Sequence, residues 1–125
     1  MAAHFTDREL DIMKVLWDHG ASTVTEVLAP LNENLAYTTV LTMLRTLEAK
    51  GHVDHVEEGK AHRYRATVTE AAARTSAVSR LIDRAFGGSA ELLLTQLVED
   101  RKLSAAEVTR LRALLERQVQ KGRKS

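Results

Sequence analysis

The chain has 125 residues, a formal net charge of +1, 44% hydrophobic residues and no cysteine. That length suits one domain, or a small domain with an appendage, and the lack of cysteine excludes disulfide staples and thiolate metal sites while fitting a reducing cytoplasm. No run of eighteen apolar residues exists to span a bilayer, and Met1–Asp11 has no basic stretch leading into an apolar one, so neither membrane insertion nor a secretory signal is expected.

Capping signatures divide the chain. Thr6 followed by Glu9 makes a capping box, flanked by Phe5 and Leu10 as a hydrophobic staple, so a first helix is expected from about Asp7 to His19, stopped by Gly20. Leu10, Ile12, Met13, Leu16 and Trp17 should form its buried face. Thr23 and Glu26 repeat the box for a short second helix ending near Leu28 and Ala29, before Pro30. A loop from Leu31 to Ala36, with Asn32 and Asn34, leads to a third helix from about Tyr37 to Lys50, stopped by Gly51. Helix, glycine-containing turn, short helix, loop and longer helix within fifty residues is the layout of a helix-turn-helix unit.

After Gly51 the period becomes extended. His52–Glu57 and Ala61–Ala66 bracket Glu58, Gly59 and Lys60 and read as a tight β-hairpin, placed where a wing would lie. Helical character returns from Thr67, which with Glu70 is expected to cap a fourth helix ending at Gly87 and Gly88. Ser89 opens a leucine-rich fifth helix, and Ser104 with Glu107 caps a sixth running to about Gln120, with residues 121–125 expected to fray. The fold class expected is therefore mainly α with a small β-hairpin: a winged helix-turn-helix domain over residues 1–68 and a helical dimerisation domain over residues 69–125.

The second half lacks a core of its own, because below roughly 70–80 residues a core rarely supplies more than a few kcal/mol. Leu81, Ile82, Phe86, Leu92, Leu93, Leu97, Leu111, Leu114 and Leu115 nevertheless need cover. A second copy of the chain is the economical source, and a homodimer is expected.

On a helical wheel the third helix places Val40, Met43, Leu44 and Leu47 on one side and Thr38, Thr39, Thr42, Arg45, Thr46 and Ala49 on the other. Small hydroxylic side chains permit close approach to a major groove. A threonine methyl can touch thymine, and an arginine can bond guanine bidentately. Four threonines on one helical stripe also forfeit helix propensity for no structural return. The hairpin adds Lys60, His62, Arg63 and Arg65, with the two arginines on one face and His62 and Tyr64 on the other. Wing cations near phosphate position a protein without reading sequence, while pairing of Arg63 or Arg65 with Asp54, Glu57 or Glu58 is the competing arrangement.

Bulk charge runs the other way. Residues 1–68 hold seven Lys/Arg against ten Asp/Glu, and residues 69–125 hold eleven against seven. An acidic head favours the alternative of a winged-helix protein-interaction module that binds no specific DNA, although many of its acids lie away from the threonine stripe. No nucleophile–base pattern or phosphate-binding glycine loop points to an enzyme. His52 and His55 face opposite sides of an extended strand, which leaves no evident metal site, and no cofactor is implied.

The stretch Leu35–Gly51, LAYTTVLTMLRTLEAKG, with the wing residues 61–64, AHRY, the segment 9–17, ELDIMKVLW, and the glycine pair at 87–88, resembles the penicillinase-repressor family, the BlaI/MecI-type regulators. The likeness runs from about Thr6 to Leu115. It implies a cytoplasmic, homodimeric transcriptional repressor on a palindromic, double-stranded DNA operator, with the third helix in the major groove. Carried onto this chain, the implied contacts are Tyr37, Thr38, Thr39, Thr42 and Arg45, with Lys60 and Arg63 from the wing; Thr46 and His62 share those surfaces. In the better-known members the operator controls β-lactam resistance genes, and a membrane sensor-protease pathway relieves repression by cutting an Asn-Phe bond in the fifth helix. Here Gln96 and Leu97 occupy that place, and the usual pair is absent. Copper-responsive relatives carry a cysteine cluster that this chain lacks.

Overall fold

A computed structural model describes residues 4–31 and 35–124. Asn32 and Asn34, in the expected loop, lie outside the described residues, as does Ser125. The elements follow in the order α1 (Asp7–His19), β1 (Ser22–Thr23), α2 (Val24–Leu31), α3 (Tyr37–Ala49), β2 (Val53–Glu58), β3 (Ala61–Ala66), α4 (Glu70–Ala85), α5 (Ala90–Asp100) and α6 (Ala105–Lys124). The architecture is mainly helical with a small antiparallel sheet, as the sequence indicates.

The Thr6–Glu9 capping box forms in full, with the Thr6 amide donating to Glu9 Oε1 at 2.8 Å and the Glu9 amide to Thr6 Oγ1 at 3.2 Å. Gly20 ends α1 at φ 80, a conformation open to glycine at no steric cost, and its amide closes onto the Leu16 carbonyl. The buried face of α1 is Glu9, Ile12, Met13, Val15 and Leu16. Leu10 is not part of it: one residue on from Glu9, it lies about 100° round the helix and stays 39% exposed. Phe5 meets Trp17 edge-on at 6.3 Å and lies 4.7 Å from the His52 ring.

In α2 the Thr23–Glu26 box also forms, but the helix continues through Pro30 to Leu31. A proline in the last turn removes one intrahelical bond, too little to stop the helix short of it. Ser22–Thr23 forms a third strand that the hairpin pattern did not show. It pairs antiparallel with β3 and places β3 at the centre of the order β1-β3-β2. Gly59, at φ 62, makes the two-residue turn of the hairpin possible.

Ile12, Met13, Leu16, Val24, Val27, Val40, Leu44, Leu47, Val53 and Tyr64 interlock as one core, with three helices packed over the inner face of the sheet. Trp17 ties α1 to the segment after the hairpin by donating Nε1–H to the Val68 carbonyl at 2.9 Å. Thr67 does not cap α4. Its hydroxyl donates to the Gly51 carbonyl, and Thr69, two residues on, accepts from the Ala72 amide. Glu70 pairs with Lys14 at 2.6 Å instead of closing a capping box.

Two compact units divide within α4, Met1–Leu81 and Ile82–Ser125. In the second, Ser89 caps α5 through the Leu92 amide, and Ser104 with Glu107 forms a complete box at α6. The last helix reaches Lys124, several residues past the expected end near Gln120. No residue of α5 is buried, and Val108, Leu111, Leu115 and Val119 form an apolar stripe at three- and four-residue spacing along α6.

Candidate nucleic-acid interface

The outward face of α3 follows from its inward one. Val40, Leu44 and Leu47 are fully buried and fix the roll of the helix, so Thr38, Thr39, Thr42, Arg45, Thr46 and Ala49 all emerge exposed, with Tyr37 at 51% exposure at the start. Thr42 and Thr46 donate their hydroxyl protons back to the carbonyls of Thr38 and Thr42, at 2.9 and 3.0 Å. Their oxygens remain acceptors and their methyls stay on the surface. The stripe therefore offers an outside partner acceptors, methyl groups and a single guanidinium.

The Tyr64 ring is 1% exposed in the core. Burial, helped by the nearby carboxylate of Glu48, pushes the Tyr64 phenol above its ordinary range, so it stays neutral while Arg45 pulls the other way.

Sheet register sorts the wing. His55 stands opposite Tyr64, and Glu57 opposite His62, on the face turned toward α3; Asp54 opposite Arg65 and Val56 opposite Arg63 lie on the other. On the inner face the His55 and His62 rings stack at 4.3 Å and 11°, and His55 Nδ1 lies 2.6 Å from Glu48 Oε2 on α3. His62 is thus half-buried against the hairpin's own rings, not held out from the wing. Among the described residues no group of three His, Asp or Glu side chains is placed to hold a metal ion.

The outer-face arginines are both paired. Arg65 Nε lies 2.6 Å from Asp54 Oδ1. Arg63 donates from Nη1 to Glu26 Oε1 at 2.7 Å and to the Ala21 carbonyl at 3.0 Å, and from Nε to Glu58 Oε2 at 2.5 Å. Glu26 first and Glu58 second hold Arg63 firmly in its charged form, and Arg63 in turn keeps the Glu26 carboxyl below its usual range. Lys60, at the turn, is exposed and has no ion-pair partner among the described residues. Sequence reasoning anticipated the Arg63–Glu58 and Arg65–Asp54 pairs as the competing arrangement. It missed the reach of Arg63 to Ala21 and Glu26, for which no local signal exists.

The positions expected to mediate dimerisation lie on exposed or half-exposed helix surface. Leu81, Leu92, Leu97, Leu111, Leu114 and Leu115 are 37–54% exposed, and Ile82, Phe86 and Leu93 are partly buried. Gln96 and Leu97 sit on the exposed surface of α5, with Gln96 bonded to Asp100.

A family model described as penicillinase repressor matches residues 5–117. The penicillinase repressor of Bacillus licheniformis is 29% identical over 113 residues, covering 89% of this chain and 88% of the relative. The methicillin resistance regulatory protein MecI of Staphylococcus aureus is 22% identical over 109 residues, covering 86% and 89%. Among solved structures, the DNA binding domain of the repressor BlaI aligns at 31% identity and a TM-score of 0.52, covering 58% of this chain and 90% of that one. A MarR family protein from Bacillus stearothermophilus covers 95% of this chain and 76% of its own at 20% identity and a TM-score of 0.51, a likeness of fold alone.

Proposed function

The chain belongs to the penicillinase repressor family, and we propose that it is a cytoplasmic, DNA-binding transcriptional repressor acting as a homodimer on a palindromic operator. The family is one of repressors, not enzymes. The observation that carries the reading is the α3 stripe: Tyr37, Thr38, Thr39, Thr42, Arg45 and Thr46 stand exposed together on a helix whose opposite side buries Val40, Leu44 and Leu47. Such a face can enter a major groove closely, with Arg45 for a guanine edge and the threonines for thymine methyls or phosphates. Lys60 would meet an adjacent phosphate from the wing, with His62 behind it.

The homodimer is supported by apolar surface on α5 and α6 that a single chain leaves uncovered, including Leu114 at 52% and Leu115 at 54% exposure. Two heads related by a two-fold axis read two half-sites, hence the palindrome. The names of the relatives direct the search for targets to β-lactam-response or related stress genes. Relief by a membrane sensor-protease pathway would act at the exposed Gln96–Leu97 bond of α5, in place of an Asn-Phe pair.

Fluorescence titration of the protein with the duplex upstream of its own gene, against a scrambled duplex of equal length, tests the reading. Preferential binding to the upstream duplex is expected; equal affinity for the two would sink it.

A further inference from the structure

Arg63 is the feature of the wing that the reading above leaves without a task. A phosphate-contacting arginine is expected to be free to turn outward. This one is 29% exposed and bonds three acceptors that belong to three different pieces of the head. The Ala21 carbonyl lies in the connection after α1, Glu26 is the capping-box acid in the first turn of α2, and Glu58 ends β2 beside the wing turn. Arg63 itself lies on the central strand, opposite Thr23 of β1 on one side and Val56 of β2 on the other.

We propose that Arg63 is a positioning residue that braces the wing against the start of α2, so that Lys60 at the tip and the α3 stripe meet one duplex together, and that it is not itself a phosphate contact. The inference rests on the DNA-binding reading and assigns the wing's geometry within it.

Three considerations favour the brace. The Glu26 carboxylate serves twice, accepting the Thr23 amide at 3.2 Å and the Arg63 guanidinium at 2.7 Å, so the cap of α2 and the anchoring of the wing share one group. Glu58 takes the Nε side of the same guanidinium, so the planar fork is held from two directions. Strand β1 is only two residues long, and a two-residue ladder alone is a weak tether for a hairpin that projects from the core.

The test turns on the sign of an effect. The double variant Glu26→Gln/Glu58→Gln keeps every cation, keeps an acceptor for the Thr23 amide, and removes two negative charges from the head. Long-range electrostatics alone, or an Arg63 released to phosphate, makes this variant bind the upstream duplex more tightly. The brace makes it bind more weakly, by about three- to tenfold. It also makes Lys60→Ala matter less in the double variant than in the wild-type background, because an unbraced tip no longer holds Lys60 in place. Tighter binding of the double variant, or an undiminished Lys60→Ala effect within it, overturns the proposal.

A DNA-free readout separates this from failure of the function itself. In the free protein the Arg63 Nε–H should exchange slowly with water by NMR, and the double variant should lose that protection. Fast exchange in the wild type refutes the brace whatever the DNA result. A protected Nε–H in a protein that binds both duplexes equally would leave the brace standing and the repressor reading refuted.

Discussion

Glu9 joins two loads that the structure allows to be weighed. Its side chain is only 5% exposed; one oxygen accepts the Thr6 amide at 2.8 Å, and both accept Lys50 Nζ at 2.9 Å, linking the start of α1 to the residue that follows α3. Burial raises the carboxyl's pKa, but the Thr6 amide and Lys50 outweigh it, and the net position is below the ordinary carboxylate range. Glu9→Gln keeps an acceptor for the cap and removes the charge. Charge-assisted bonds of this kind contribute about 1.5–3 kcal/mol. Lys50 is 37% exposed and can return to water when its partner is lost, so the expected destabilisation is about 1–2 kcal/mol. In a head of this size that lowers the midpoint of thermal unfolding by roughly 4–15 °C.

The sign of the pH dependence follows from the lowered pKa. The stabilisation is present above the unfolded-state value, roughly pH 4.3, and is lost as pH falls through the lower folded-state value. Circular-dichroism melts of both proteins from pH 7 down into acid should show the full gap at neutral pH and a gap that narrows as Glu9 protonates, since protonated Glu9 and Gln are near equivalents. A gap that persists undiminished in acid would refute the assignment of the effect to the charge.

Arg45→Ala should weaken binding to the upstream duplex by about 1–3 kcal/mol while changing binding to scrambled duplex far less, because a base contact carries discrimination. Titrations against both duplexes check this, and an unchanged ratio would place Arg45 outside base readout. The full chain should sediment as a dimer at micromolar concentration, and Leu115→Arg, in the middle of the α6 stripe, should sediment as a monomer with its helical circular dichroism retained. A wild-type monomer would remove the case for a paired operator.

Local signals were read from the sequence with little loss. The boxes Thr6–Glu9, Thr23–Glu26 and Ser104–Glu107 each need only four consecutive residues, and each formed. The exposed face of α3 followed from helical spacing alone, since three buried apolar residues leave the helix one way to turn. What escaped was non-local or too short to have a period. Strand β1 has two residues and exists because β3 offers it an edge. The Lys50–Glu9 pair spans 41 positions and the Arg63–Glu26 pair 37, distances over which spacing carries no information. Thr67 failed as a cap for a related reason, its hydroxyl being taken by Gly51, which the fold brings alongside from the far end of the hairpin.

The acidic balance of the head, which argued against nucleic acid, is resolved by those same long-range pairs into a prediction about salt. Asp11, Asp18, Glu9, Glu26, Asp54 and Glu58 each have a cationic partner, so six of the ten acids in residues 1–68 spend their charge inside the head. The cations are committed by the same bonds: Arg8, Lys14, Lys50, Arg63 and Arg65 all face carboxylates. Arg45 and Lys60 are the two head cations without a carboxylate partner among the described residues. Each phosphate contact contributes about −0.9 to the slope of log affinity against log salt on duplex DNA. One phosphate-facing lysine in each of two heads, with Arg45 given to a base edge, therefore sets the slope at about −2, a shallow dependence for a dimeric repressor. Binding isotherms from low to moderate salt measure it directly. A slope of about −8 or steeper would mean that the paired cations leave their carboxylates for phosphate when DNA arrives, and that the free head's ion-pair arrangement does not survive in the complex.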